Sequence, residues 1–237
     1  MLPLDLTIVD AIELPQIAAL KLRELVVEST KSRGRACIAL AGGTTPRAVH
    51  EALAALGEVP WNQVHVFFGD ERSVPPDHPD SNYRMAKESL LSRVPIPAAQ
   101  VHRPAAEATD RAGAARAYAA LLPAAFDVII LGIGEDGHTA SLFPGASALD
   151  EATELCVPVI GPKPPPERLT LTPPVLGRAR AIVMLAVGSG KAEPVKRALE
   201  GAWDPKHTPA QLARRGTWFL DPAAAALLTS HVDRSGR

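Results

Sequence analysis

Eight short apolar runs punctuate the chain: LTIV, ACIALA, VHVFF, FDVIILGIG, ELCVPVI, RLTLT, AIVMLAV and TWFL. Most are continuous rather than alternating. A strand with one face in water carries a polar residue at every second position, so a continuous run implies cover on both faces. Stretches with helical periodicity lie between many of the runs. Leu14, Ile17, Ala18, Leu22, Leu25 and Val26 form one stripe that stops at Gly34. Ala48 to Leu56 stops at Gly57, and Lys191 to Glu200 at Gly201. Asp80-Ser81-Asn82 can cap a helix running to about Arg93, and Ala108 to Leu122 is Ala-rich and helical. Thr208-Pro209-Ala210-Gln211 combines a capping box with Pro at the first helical position. Asp221-Pro222 starts a last short helix, and Ser230 to Arg237 is expected to fray. Strands alternating with helices predict an α/β fold: three layers, Rossmann-like, with a mainly parallel sheet and helices on both faces. With no internal repeat and no long linker, residues 1–237 are expected to form a single domain.

Composition narrows the partners. Lys and Arg number 25 against 26 Asp and Glu, for a formal net charge of −1. Nucleic acids and anionic membranes attract proteins largely through excess positive charge, so neither is expected to bind. Aromatics make up only 4% of the chain, too few for a stacking platform along single-stranded bases. A hydrophobic content of 46% excludes disorder, and no run approaches the roughly 20 apolar residues of a membrane span. The opening MLPLDLTIVDAIEL carries Asp5, Asp10 and Glu13 with no early basic residue, unlike a signal peptide. Cys37 and Cys156 are far apart, each within an apolar run, and read as small core residues. A cytoplasmic protein, monomeric or weakly homo-oligomeric, is expected.

In open parallel sheets ligands bind beyond the carboxyl ends of the strands, so the residues after each run are the candidates. After ACIALA comes Gly42-Gly43-Thr44-Thr45-Pro46. A glycine turn feeding a helix N-terminus is a ready anion site, or else an ordinary tight turn with a Thr cap. After AIVMLAV comes Gly188-Ser189-Gly190-Lys191. It is not a Walker A loop, because Leu185 stands where the first Gly would be and no Ser or Thr follows the Lys. Lys191 begins a helix, where a cation is disfavoured unless an anion is bound. After FDVIIL comes Gly132-Ile133-Gly134-Glu135-Asp136-Gly137-His138-Thr139. Its GxGxxG match lacks the context of a dinucleotide fold. An Asp-x-His pair is the better reading: Asp136 fixes the tautomer and His138 serves as general base. No second His or Cys lies at ligand spacing, which disfavours a metal. After VHVFF, Asp70, Glu71 and Arg72 would project at the sheet edge, either as a solvated charge cluster or with Arg72 holding an oxyanion. Five prolines between Pro158 and Pro166 suggest a rigid loop aiming Lys163 or Arg168, with Arg168 just ahead of a strand and able to grip a phosphate. No GxSxG elbow or Cys–His nucleophile is present.

The blocks LAGGTTP, FFGDERSVPPDHPDSN, LGIGEDGHTASLFPG, PPPERLTLT and VGSGKAE together resemble the 6-phosphogluconolactonase family, in the superfamily that also holds glucosamine-6-phosphate deaminase. They occur in family order and span from about Ala39 to Glu193. The resemblance implies hydrolysis of 6-phosphoglucono-δ-lactone, a small sugar-phosphate lactone, to 6-phosphogluconate, with no metal or organic cofactor. It assigns His138 as the base, Asp136 as its orienter and Arg72 to substrate and oxyanion. Gly42, Gly43, Thr44, Arg168 and Lys191 would bind the phosphate, and Asp70 and Asn82 would sit at the pocket. The deaminases are expected to carry Glu five residues beyond the His, where this chain has Phe143, and to lack the Arg at position 72. A non-catalytic sugar-phosphate sensor is the third possibility.

Overall fold

A computed structural model describes residues 5–229, so the expected fraying of Ser230 to Arg237 lies outside the described residues. All eight apolar runs form strands. Six of these build one fully parallel sheet: β1 (Asp5–Ile8), β2 (Ala36–Leu40), β3 (Val64–Phe68), β5 (Val128–Gly132), β8 (Ala181–Ala186) and β9 (Thr217–Leu220). Their order is β1-β9-β8-β5-β2-β3. Successive side chains on the central strands enter two separate apolar clusters. Ile38, Val128, Ile130, Val183 and Leu185 join Leu14, Leu22, Val49 and Leu53 of α1 (Leu14–Arg33) and α2 (Thr44–Ala55). Cys37, Ile129, Leu131, Ile182 and Met184 join Tyr118 of α4 (Arg111–Ala119), Leu176 of α5 (Pro173–Arg178) and Val195 of α6 (Ala192–Glu200). Burial on both faces is why these runs have no polar alternation.

The remaining two runs depart from the expected single sheet. β6 (Cys156–Ile160) and β7 (Glu167–Leu171) pair antiparallel, and β7 pairs antiparallel with β4 (Asp70–Arg72), in a second sheet of order β4-β7-β6. The cause is loop length: residues 161–166 are too few for a parallel crossover, which needs about a dozen or more residues. Leu169 and Leu171 of this small sheet pack into the same apolar cluster as α4 to α6. Gly69 joins the two sheets. Its N–H donates to Leu40 O of the large sheet at 2.9 Å, and its carbonyl accepts from Leu171 N of the small sheet at 2.9 Å.

Several helices differ from their sequence reading. The helix capped by Ser81 runs as α3 (Asn82–Ala86) and continues as a π-helical turn over Lys87–Leu91. Pro209–Ala213 forms only 3₁₀ turns, and Thr208 makes no side-chain cap. Residues 222–227 are turns, because Asp221 Oδ1 takes the N–H of Ala224 at 2.8 Å and of Gly188 at 2.9 Å.

His50 of α2 is fully enclosed, with Nδ1 3.4 Å from Ser89 Oγ and no partner at Nε2. Burial lowers its pKa to about 4. The unfolded chain therefore takes up a proton near pH 6.5 that the folded chain refuses until about pH 4. This group's contribution to stability is full above about pH 6.5 and declines as pH falls toward 4. The loss is on the order of 3 kcal/mol. Thermal melts of wild type and His50→Leu between pH 7 and 4.5 check this: the variant should lose the part of the slope due to His50, and equal slopes refute the assignment.

Candidate active site

At the carboxyl end of β2 the chain turns through Gly42 and Gly43 into α2. Gly43 has φ of 106°, a backbone state that L side chains rarely adopt. Gly42 is needed for space instead, since a Cβ there would lie 1.9 Å from Asn82 Oδ1. Asn82 is held there because its Nδ2 donates to Asp70 O at 2.9 Å and Asp70 Oδ1 at 3.0 Å. The other Asp70 oxygen accepts from Ser141 Oγ at 2.5 Å. Of the two expectations for Asp70, a solvated charge or a pocket residue, the solvated one does not hold: it is buried, with both carboxylate oxygens hydrogen-bonded.

Glu71 is also buried rather than solvated. Its carboxylate accepts from Asn82 N at 2.7 Å, Arg72 N and Tyr83 N at 2.8 Å each, and Ser81 Oγ at 3.0 Å. Two of these N–H groups open α3, where a negative charge is favoured. Burial pushes the carboxyl up from its ordinary range despite these four donors.

Arg72 and Arg168 stand directly opposite one another on β4 and β7. Arg168 therefore lies within a strand, not ahead of one as its sequence context suggests. The proline loop holds it: Nε donates to Pro165 O at 3.2 Å and Nη2 to Lys163 O at 3.3 Å. Its guanidinium lies 5.5 Å from the Phe143 ring centre. Arg72 Nη1 donates to Asp80 O at 2.7 Å, while its buried Nε has no partner. Among the described residues neither arginine forms a salt bridge, and the Lys191 ammonium makes no hydrogen bond or ion pair, its backbone N–H alone donating to Gly188 O at 3.0 Å. Burial lowers the Arg168 pKa; the Asp70 charge opposes that and the Arg72 charge adds to it.

His138 sits on a turn after β5, closed by Gly134 N to His138 O at 2.8 Å and Gly137 N to Gly134 O at 3.0 Å. A Cβ on Gly134 would come within 2.1 Å of the imidazole, and Gly137 has φ of 93°. Asp136 Oδ1 lies 2.6 Å from His138 Nδ1 and accepts His138 N at 3.0 Å. Partial burial pushes the Asp136 carboxyl up, but the hydrogen bond from His138 N and the nearby imidazole outweigh it and hold the pKa below its ordinary value. With Nδ1 engaged, Nε2 is the nitrogen left for proton transfer.

These elements meet in one cleft of about 310 Å³ at the carboxyl ends of the central strands. Gly42, Gly43, Thr44, Asp70, Arg72, His138, Arg168 and Lys191 all line it. Asp136 and Asn82 do not; each reaches the cleft through the residue it holds, His138 and Asp70. Three basic side chains against one carboxylate make it a site for an anion. Among the described residues, no three His, Cys, Asp or Glu side chains gather as a metal site needs, and no helix is long and apolar enough to cross a membrane.

Residues 9–220 match the family described as glucosamine-6-phosphate isomerases/6-phosphogluconolactonase. The chain belongs to this family. It is 40% identical over 212 residues to a 6-phosphogluconolactonase of Synechocystis, covering 84% of this chain and 87% of that one. It is 43% identical over 217 residues to one of Mycobacterium tuberculosis, with the same two coverages. The solved 6-phosphogluconolactonase of Trypanosoma brucei superposes with a TM-score of 0.84 at 30% identity, covering 96% of this chain and 99% of that one. The mainly parallel α/β architecture is thus the family's.

Sequence reasoning passed over Ser141 and Phe143 as parts of the site, and left Glu71 without a role. Ser141 stands three residues beyond His138 in TASLFPG, and only its contact with Asp70 marks it. For Glu71 the signal was present: an acid shortly before a Ser-Asn helix start can cap that helix from outside. Glu71→Ala should strand four donors and destabilise the fold by on the order of 3 kcal/mol, read as a lower Tm. An unchanged Tm counts against the role given to Glu71.

Proposed function

We propose that this chain hydrolyses 6-phosphoglucono-1,5-lactone to 6-phosphogluconate, the second step of the oxidative pentose phosphate pathway. The names of its relatives support the reaction class. The observation that carries the substrate is the Arg72–Arg168 pair. Like charges directly opposite on a ladder repel, and an arrangement with no acid among the described residues in ion-pair range suits a bound dianion. A phosphoryl group has the charge and oxygen count to meet Arg168, Lys191 and the N–H groups of the Gly42-Gly43-Thr44 turn.

In this reading His138 Nε2 takes a proton from water as the water oxygen attacks the lactone carbonyl carbon. Asp136 keeps the imidazole in the tautomer with Nε2 unprotonated and stabilises the imidazolium that forms. Arg72, which lines the cleft, meets the oxyanion of the tetrahedral intermediate. Collapse breaks the bond to the ring oxygen, and His138 returns the proton there. No covalent intermediate, metal or organic cofactor takes part. We read the protein as a single-domain cytoplasmic enzyme, monomeric or weakly homo-oligomeric. Its two apolar clusters share one sheet, which supports the single domain.

The test is lactone hydrolysis followed above the spontaneous rate. His138→Ala should lower kcat by about 10²–10⁴-fold, the usual contribution of a general base; full activity in the variant removes His138 from that role. Arg168→Ala and Lys191→Ala should chiefly raise KM. Equal turnover of an unphosphorylated lactone would overturn the phosphate assignment. A chelator should leave the rate unchanged, and loss restored by added metal would refute the metal-free mechanism.

A further inference from the structure

Phe143 touches two parts of the proposed machinery at once. Its ring centre lies 4.8 Å from that of His138, at an interplanar angle of 51°. On another side the Arg168 guanidinium lies 5.5 Å from the same centre. A third side is closed by Gly161, where an added Cβ would sit 2.8 Å from Phe143 Cζ and 3.1 Å from Arg168 Nε. The ring is 6% exposed, so it has little room to move. Gly161 is in turn fixed at the end of β6 by its N–H, which donates to Pro166 O at 2.6 Å.

We infer that Phe143 is a positioning residue that sets the spacing between the His138 base and the Arg168 anion grip, with Gly161 as its backstop. This rests on the roles given above to His138 and Arg168. The two contacts differ in kind. The imidazole leans on an apolar volume, which any side chain of similar size supplies. The guanidinium faces a π-system, which attracts a cation electrostatically and holds it where the two carbonyl contacts and the ring converge. Arg168 has only weak carbonyl partners at 3.2–3.3 Å, so the ring is a main restraint on it. One rigid aromatic thereby couples the distance between base and phosphate to the length of the substrate.

The contacts predict a separation of kinetic effects. Phe143→Leu keeps much of the volume beside His138 and loses the ring face. KM should rise by roughly 3- to 30-fold, the span of a cation–π contact, with kcat within about twofold. Phe143→Ala frees both partners, and kcat should fall by about tenfold or more as well. Gly161→Ala pushes the ring and Arg168 from behind, and should raise KM with no change to any group that meets substrate. In an Arg168→Gln background Phe143→Leu should add less than about twofold to KM, because the two act through one contact. Circular dichroism verifies that each variant is folded. An unchanged KM in folded Phe143→Leu, or fully multiplicative effects with Arg168→Gln, overturns the inference. The affinity for inorganic phosphate, measured by calorimetry, reads the same coupling without turnover: Phe143→Leu should weaken it, and equal affinity overturns the inference. A wild type without lactonase activity that still loses phosphate affinity on Phe143→Leu would instead defeat the reaction assigned above while leaving the coupling standing.

Discussion

The buried carboxylate of Glu71 ties the start of α3 to β4, and much of the cleft depends on that tie. Asn82 opens α3, and its position fixes both Asp70 and the approach of Gly42. Asp70 then reaches Ser141 on the segment that follows His138. A chain of polar contacts thus runs from one sheet through a short helix to the far wall of the cleft. Each member is buried and hydrogen-bonded, the condition under which polar groups specify geometry rather than loosen a core. Removing the anchor leaves the donors of buried Ser81 and Asn82 without their acceptor.

The neutral bulk charge conceals a local imbalance. Among the described residues, Arg72, Arg168 and Lys191 face one cleft with Asp70 as its one carboxylate. Juxtaposed cations are unfavourable in a protein without ligand, and burial of Arg168 adds to that cost. The fold tolerates it by small devices: carbonyls of the proline loop, the Asp80 carbonyl and the Phe143 face each take part of the load. On the reading proposed above, a bound dianion would offset that repulsion.

Much of this organisation was legible from sequence. Continuous runs such as ACIALA and FDVIIL announce strands covered on both faces, and the post-strand rule led to Gly42, His138 and Lys191. The Asp136-x-His138 spacing gave the observed pair. The small antiparallel sheet was not anticipated, because β4 is written DER and resembles a surface cluster. Its burial follows from partners distant in sequence, Leu169 and Ser81 among them. The same limit hid Ser141, whose importance comes from a contact across 71 positions. At Asp221 the local signal for a helix was real, but the carboxylate is shared with Gly188 from another loop, and a turn results. Local pattern predicts what one segment prefers; it does not show which distant group competes for the same hydrogen bond.

The peptide at Gly69 belongs to both sheets, donating to one and accepting from the other. Strands β3 and β4 are therefore consecutive in the chain yet lie in different layers, with a single residue between them. Arg72 and Arg168 ride on the small layer as a matched set, while the glycine turn and Lys191 belong to the large one. The cleft is thus lined from both layers on either side of one seam. Because the β4–β7 pairing sets the two positions opposite one another, the spacing of Arg72 and Arg168 is decided within the small layer alone, independently of the strands that carry the glycine turn and Lys191.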